Sequence, residues 1–204
     1  MRRPYLLPLL WLLALLLLSR YTLGATLQVA PVTLDLESNQ RATALYLTNS
    51  GDTPIHAQIR VYDWTQANGK DVLTPTDEIV SSPAMTALAP GQQQLIRIIV
   101  LQPGARQQEQ SYRLVIDELP SHNAQTRERN AVHFLLRYSI PVFIAGTQRD
   151  ASSDGDLNCE QLTTPGAIQC YHAGEQHVRL SNVQALTADG QVAETVKGLA
   201  GYVL

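Results

Sequence analysis

The fold is decided by one stretch of the sequence, Val132-His133-Phe134-Leu135-Leu136-Arg137-Tyr138-Ser139-Ile140-Pro141-Val142-Phe143. Large apolar side chains occupy every second position of its first nine residues, and they are Val132, Phe134, Leu136, Tyr138 and Ile140. This period of two is typical of a β-strand with two unlike faces. Two interpretations are open at this point: the apolar face belongs to the core of this chain, or it is lent to another protein.

Short segments with strand-like patterns lie upstream of this stretch. They cover residues 26–36, 41–48, 55–64, 94–101 and 112–119, and turn signals such as Asn68-Gly69 separate them. Pro31 lies inside the first segment and cannot donate a backbone hydrogen bond, so we expect an edge strand or a strand that changes partners. No helical periodicity competes. The pattern predicts an all-β fold, with an immunoglobulin-like seven-stranded β-sandwich over residues 25–145.

The N-terminus has the layout of a targeting segment. Arg2 and Arg3 precede thirteen mostly leucine residues, 6–18, and small or polar residues follow, with Thr22 and Gly24 suitably small before a cleavage site. Thirteen apolar residues are short for a membrane-spanning helix and suit the apolar region of a signal peptide. We therefore predict a signal peptide over residues 1–24; a retained membrane anchor is the alternative, and Arg20 argues against it.

Charge and residue content exclude several classes of function. Removal of residues 1–24 removes three arginines and no acidic residue, which takes the net charge from −3 to about −6. Nucleic-acid binding needs concentrated basic charge, so it is not expected. The five histidines lie in no recognisable catalytic motif, and the adjacent carboxylates Asp117 and Glu118 face opposite ways on a strand. We expect no enzyme activity, no cofactor, no metal and no small-molecule substrate.

Residues 146–204 differ in character from the part before them. A polar, turn-rich link covers 146–156, and about four strands follow, whereas a sandwich needs about seven. We expect an incomplete C-terminal β-domain, because about 50 residues bury little apolar surface alone. A small complete β-subdomain is the alternative.

The chain contains two cysteines, Cys159 and Cys170, on either side of a Pro-Gly turn signal. An even number of cysteines in an exported protein predicts a disulfide, here between two short strands. The alternative is a metal site with His172 and His177, but the spacing fits no common zinc pattern.

Several segments together carry a family resemblance, and they are residues 45–51, 60–64, 82–83, 88–91, 95–98, 112–120 and 132–143. In this order and spacing, residues 26–145 resemble the periplasmic chaperones of the chaperone–usher pilus-assembly pathway. The match is best in the branch that assembles archaic and spore-coat-like pili. Residues 177–204 resemble the first half of the family's second domain, so the resemblance implies that this domain is truncated.

The resemblance implies a function for the opening stretch. A pilus subunit of this pathway is similar to an immunoglobulin-like sandwich that lacks its last strand, and the chaperone lends a strand to fill the open groove. Val132, Phe134, Leu136, Tyr138 and Ile140 would then be the subunit-binding side chains. The implied partners are pilus subunits and an outer-membrane usher, and the implied compartment is the periplasm. A secreted immunoglobulin-like adhesin or pilus structural component is the alternative function.

The chain departs from the family where a subunit's C-terminal carboxylate is bound. Family members use a basic pair, an Arg on the first strand and a Lys on the donor strand. Here these places fall near residues 31–33 and at Pro141, and neither is basic. Arg97 and Arg137 are the candidate cleft cations; pairing with Asp117, Glu118 or backbone carbonyls is the alternative role for both.

We predict that the exported protein begins near Ala25, because residues 1–24 have the three regions of a signal peptide. N-terminal sequencing of periplasmic material is the measurement. An intact Met1 on a membrane-bound species would contradict the prediction.

Overall fold

The protein is built from β-strands, and the computed structural model describes residues 26–104, 106–120, 134–147, 157–161 and 168–204. The predicted signal peptide and Val132 lie outside the described residues. The strands of the first part are β1 Leu27–Ala30, β2 Leu34–Leu36, β3 Ala42–Asn49, β4 Ile55–Ala67, β5 Lys70–Pro75, β6 Ile79–Ser82, β7 Met85–Leu88, β8 Gln93–Val100, β9 Gln110–Leu119 and β10 Arg137–Ile144. Within the described residues no helix is present that could span a membrane.

These strands form two facing sheets. One sheet has the order β1-β3-β8-β6, and the other has the order β2-β10-β9-β4-β5 with β7 also paired to β4. We call them sheet 1 and sheet 2. Alternate residues of both sheets meet in one buried core, including Leu45, Ile96, Leu114 and Ile116. The predicted all-β, immunoglobulin-like sandwich is confirmed.

The first segment of the chain changes sheets. β1 pairs antiparallel with β3 in sheet 1, whereas β2 pairs parallel with β10 in sheet 2. Pro31 follows the last residue of β1, where its missing N–H costs neither strand a hydrogen bond. The predicted change of partners is confirmed.

Turn residues adopt the conformations that their sequence predicts. Asn68 and Gly69 join β4 to β5 and have φ angles of 53° and 69°. Positive φ at both central residues is the requirement of the tight hairpin turn that Asn-Gly favours. The hairpin predicted at this position is confirmed.

Asn49 is a polar residue buried at the end of β3, and its side chain joins two turns. Its Nδ2 donates to the carbonyl oxygens of Thr53 at 2.8 Å and Leu88 at 3.1 Å, while its Oδ1 accepts from the N–H of Gly51 at 2.9 Å. A buried amide is tolerated when its donors and acceptor are paired. This residue therefore fixes one end of the sandwich.

The strand predicted at 132–143 is shorter than expected. β10 begins at Arg137, so residues 134–136 have no strand assignment, although the N–H of Glu118 still donates to the carbonyl of Leu136 at 2.9 Å. The partner strand β9 continues to Leu119, but the N–H of Leu136 donates to the side chain of Glu118 at 3.3 Å. Periodicity alone could not show where that pairing stops.

The second part of the chain contains two hairpins. The strands are β11 Leu157–Gln161, β12 Ile168–His172, β13 Val178–Leu186 and β14 Val192–Val203, which pair as β11-β12 and β13-β14. Four strands in this region agree with the sequence prediction. The start of the predicted link is held in place, since the N–H of Thr147 donates to the carbonyl of Arg106 at 2.7 Å. The domain boundary at 145/146 and the incompleteness of the second domain stay predictions.

Cys159 and Cys170 form a disulfide that joins directly paired residues of β11 and β12. The predicted disulfide is confirmed. Because both sulfur atoms are in the bond, the alternative metal site with His172 and His177 would lack its thiolate ligands.

We expect material purified from an oxidising compartment to contain no free thiol, because a thiol-blocking reagent cannot react with a disulfide. Intact-mass measurement after alkylation, with and without a reductant, checks this. Two alkylated cysteines are expected only after reduction. Their presence without reductant would contradict the bond.

Candidate functional site

One side of β10 is open along much of its length. β2 pairs only with Val142, Phe143 and Ile144, so residues 137–141 have no partner strand on that side among the described residues. On the other side, the hydrogen bond between Glu118 and Leu136 shows that even-numbered residues point their backbone groups towards β9. Odd-numbered residues therefore point theirs outward. Pro141 occupies such an outward position, where its missing N–H leaves the pairing with β9 intact.

The exposure of the even-numbered side chains rises towards the start of β10. Ile140 is 2% exposed and belongs to the sandwich core, Tyr138 and Leu136 are partly buried against it, and Phe134 is 83% exposed. The Tyr138 hydroxyl donates to the carbonyl of Leu27 on β1. The same face therefore serves this chain's own core at one end and faces solvent at the other.

Charged residues gather on the outer face of sheet 2 at the start of β10. Asp117 is buried, and its carboxylate accepts hydrogen bonds from Arg60 Nη2 on β4 and Arg137 Nε on β10. Burial alone would raise the pKa of Asp117, but the hydrogen bonds from Arg137 and Arg60 outweigh it and hold the pKa below its usual value. The alternative prediction that Arg137 pairs with Asp117 agrees with the structure. The second partner of Asp117, Arg60, was not predicted from the sequence.

Arg97 and Arg137 lie on different sheets. Arg97 is exposed on β8 of sheet 1, between the buried residues Ile96 and Ile98. Its side chain therefore points to the outer face of sheet 1, whereas Arg137 is on the outer face of sheet 2. The structure does not bring the two candidate cations together.

Aromatic side chains occupy the other end of the outer face of sheet 2. The ring of Phe143 on β10 stacks on His177 with 3.5 Å between the ring centroids, and Tyr202 lies edge-on to Trp64 at 5.8 Å. His177 Nδ1 is 2.7 Å from Oε1 of Glu109. These residues join β10 to the second part of the chain. The cluster is not apparent from the sequence, because Trp64 and Tyr202 are more than 100 residues apart in the chain. The local signal for it is the large aromatic residues at outward positions of β4 and β10.

Arg113 lies between the two ends of this face, directly opposite Pro141 in the pairing of β9 with β10. Its guanidinium lies 3.5 Å from the centroid of the Trp64 ring, and its Nη2 is 3.5 Å from Oδ2 of Asp71. Burial lowers the pKa of Arg113, and the charge of Asp71 partly offsets this effect. The backbone of Arg113 therefore lies beside the place where the family has a basic residue, but its guanidinium is directed away from Pro141, towards β4 and β5.

The comparisons with known proteins agree with this fold. A model of the family described as pili and flagellar-assembly chaperone, PapD N-terminal domain, matches residues 26–148. The chain belongs to this family. Among curated proteins, none matches it.

Solved structures of pilus chaperones are similar to the chain over most of its length. A chain of the complex between the chaperone CsuC and the tip adhesion subunit CsuE, from archaic Csu pili of Acinetobacter baumannii, is 28% identical with a TM-score of 0.66, and the match covers 88% of this chain and 86% of that one. The CupB2 chaperone of Pseudomonas aeruginosa is 22% identical with a TM-score of 0.58, and the match covers 84% and 82%. A chain of the SafA pilin–SafB chaperone complex of Salmonella enterica is 15% identical with a TM-score of 0.58, and the match covers 88% and 83%. The last two show the fold alone.

Family membership confirms the predicted resemblance to pilus-assembly chaperones of the archaic branch. It also confirms that the protein belongs to a family of chaperones and not to a family of enzymes. Among the described residues no three His, Cys, Asp or Glu side chains are grouped to hold a metal ion. The match favours a chaperone over the alternative of an adhesin or structural pilus component.

We expect the Asp117→Asn variant to be less stable than the parent chain at pH 7, by about 2 kcal/mol, because two charge-assisted hydrogen bonds are weakened. The lowered pKa means that Asp117 contributes its full stabilisation above the ordinary aspartate pKa of about 3.9 and loses it as the pH falls through the lower folded value. The difference between the two proteins should therefore shrink below about pH 4. Urea unfolding of both proteins between pH 2.5 and 7 measures this difference in the free energy of unfolding. A difference that does not change with pH would contradict the prediction.

Proposed function

We propose that the protein is a periplasmic chaperone that binds pilus subunits by donor-strand complementation and delivers them to an outer-membrane usher. The donor is the segment from residue 132 to the middle of β10. The observation that carries the proposal is the coincidence of an unpaired strand edge with an exposed apolar side chain at Phe134. An open edge offers backbone pairing, and alternate side chains offer contacts to pockets.

The outward backbone groups of Arg137 and Ser139 are available to a strand of the subunit. Pairing there would add a strand to sheet 2 beyond the three residues that β2 covers. The even-numbered side chains Phe134 and Leu136 would at the same time fill the subunit's groove. Full burial of one such side chain stabilises a complex by roughly 1.5–3 kcal/mol.

The five predicted subunit-binding residues have different positions in this proposal. Phe134 is accessible, and Leu136 lies at the border of the core. Tyr138 is tied to β1, and Ile140 is enclosed by this chain's own core, so both support the donor strand from within the sandwich. Val132 lies outside the described residues and stays a predicted contact.

Complexes of similar proteins support the choice of partner. The A. baumannii match is a pre-assembly complex of a chaperone with a tip adhesion subunit, and the S. enterica match is a pilin bound to its chaperone. A chaperone of this kind acts where subunits are folded and assembled. The signal peptide predicted at residues 1–24 is consistent with such a location, and the usher is proposed from the family alone.

For the subunit's carboxylate we propose a cation on the outer face of sheet 2. Arg137 on this face is 67% exposed at its side chain, whereas Arg113, opposite Pro141, is mostly buried and directed to Trp64 and Asp71. The position of Arg97 on the other sheet gives no support to a role beside the donor strand.

The Phe134→Ser/Leu136→Ser double variant should lose its subunit, because two apolar groups are removed from the groove and polar hydroxyls replace them. The expected cost is about 3–6 kcal/mol of binding free energy, which abolishes capture at cellular concentrations. The measurement is co-purification, from the periplasm, of a tagged pilus subunit with each variant, together with the thermal unfolding temperature of each free protein.

Leu135→Ser is the matched control, because Leu135 is an exposed leucine of the opposite parity. We expect it to capture the subunit, whereas the double variant does not. Since Phe134 is exposed, the unfolding temperature should change much less than binding. Equal loss of stability and binding would support a strand that serves only this chain's core, and undiminished capture by the double variant would overturn the proposal.

A further inference from the structure

Two adjacent carboxylates at the end of β9 hold the beginning of β10 by different means. Asp117 accepts hydrogen bonds from the side chains of Arg60 and Arg137. Glu118 donates its N–H to the carbonyl of Leu136 at 2.9 Å, and its Oε2 accepts the N–H of Leu136 at 3.3 Å. We propose that Asp117, Glu118, Arg60 and Arg137 form a strand clamp. This strand clamp positions residues 134–136 for addition to a pilus subunit. The proposal rests on the function proposed above.

The register of sheet 2 explains how the strand clamp is assembled. Gln58 on β4 and Arg137 on β10 both lie directly opposite Asp117 on β9. Because Leu136 and Glu118 form the hydrogen-bonded pair, Arg137 and Asp117 form the neighbouring pair in which side chains approach more closely. Arg60 is two residues beyond Gln58 on the same face and reaches the second carboxylate oxygen diagonally.

The buried member of the strand clamp is the carboxylate, not the arginines. The side chain of Asp117 is 12% exposed, whereas those of Arg60 and Arg137 are 41% and 67% exposed. A buried charge is strongly unfavourable without a partner. The need of Asp117 for cations therefore determines where the exposed Arg137 side chain lies, and Arg137 is the first residue of β10.

The two described residues immediately before those that the strand clamp holds lie at the surface. Phe134 and Leu135 are exposed and have no strand assignment. Leu135 and Leu136 also line a cavity of about 530 Å³ together with clamp residues. Ordering of a free segment opposes binding, so holding residues 136 and 137 beforehand reduces that cost. The strand clamp thereby favours rapid addition of the donor segment to a subunit.

A positioning role can be separated from a contribution to global stability. Arg60 still pairs with Asp117 when the Arg137 side chain is lost, so the unfolding temperature of Arg137→Gln should change less than that of Asp117→Asn. Loss of positioning should instead appear as faster hydrogen exchange at the start of β10 in the free protein, in addition to slower capture of a subunit. Loss of a direct contact between Arg137 and the subunit's carboxylate would slow capture without changing exchange in the free protein. These two readouts would not respond to a merely structural surface pair.

The test compares Arg137→Gln with Arg97→Gln, which removes an exposed arginine from a strand of the other sheet. The probe is the tagged pilus subunit that co-purifies with the parent chain, unfolded in denaturant and diluted into an excess of each full-length variant. We expect Arg137→Gln to slow capture about tenfold, the size of effect expected when one or two groups must be ordered on binding. Amide exchange at residues 135–139 should accelerate, and Arg137→Lys should restore part of the capture rate. Arg97→Gln should match the parent in all measurements.

Different failures have different meanings in this experiment. If the parent chain captures no subunit, the proposed function fails, and the role of the strand clamp fails with it. If the parent captures the subunit and Phe134→Ser/Leu136→Ser does not, the function stands. An Arg137→Gln variant with parental capture and exchange rates would then overturn the strand clamp alone.

Discussion

Backbone pairing along one side of β10 stops after three residues, and the candidate site depends on this limit. β2 reaches only Val142 to Ile144, because the chain before it belongs to the other sheet and crosses over after β1. The last three residues of β10 therefore lie in the interior of the sheet, whereas its first residues form an edge. A flat open edge next to exposed apolar side chains is normally an aggregation hazard. In a chaperone that lends a strand, the same edge is the binding surface.

In the proposed function the strand β10 must be accessible and yet firmly held, and its two faces meet these needs differently. On the inner face, Ile140 and Val142 are buried in the sandwich core. On the outer face, the strand clamp holds the start of β10, and the stack of Phe143 on His177 holds its end against the second part of the chain. The accessible segment before Leu136 is therefore short and begins at a fixed point, which limits the entropy that binding must overcome.

Local patterns in the sequence predicted most of the sandwich but not the limits of its pairing. The break at Pro31 and the Asn68-Gly69 turn each express a local backbone preference and were interpreted correctly as crossing and hairpin, whereas the alternation up to Ile140 was correct as a strand only from Arg137 onward. The point where β10 begins depends on contacts with strands distant in the chain, which periodicity does not encode. For the same reason the short strands β6 and β7 were missed, and Arg60 was not recognised as a partner of Asp117, since 57 residues separate them in the chain.

The place of a charge in a sheet is not tied to one strand. Pro141 occupies the position where the family has a basic donor-strand residue, and its outward backbone position tolerates the missing N–H. Cross-strand neighbours lie about 5 Å apart, and Arg113 on β9 is directly opposite Pro141, but its guanidinium extends to β4 and β5 on the other side of β9. Arg113 is held there by the face of Trp64 and by Asp71 rather than by free rotation in solvent. A residue-by-residue alignment with the family identifies the loss of the basic residue at Pro141, but only the register of β9 with β10, together with the contacts of Arg113, reveals that the arginine opposite Pro141 carries its charge to β4 and β5.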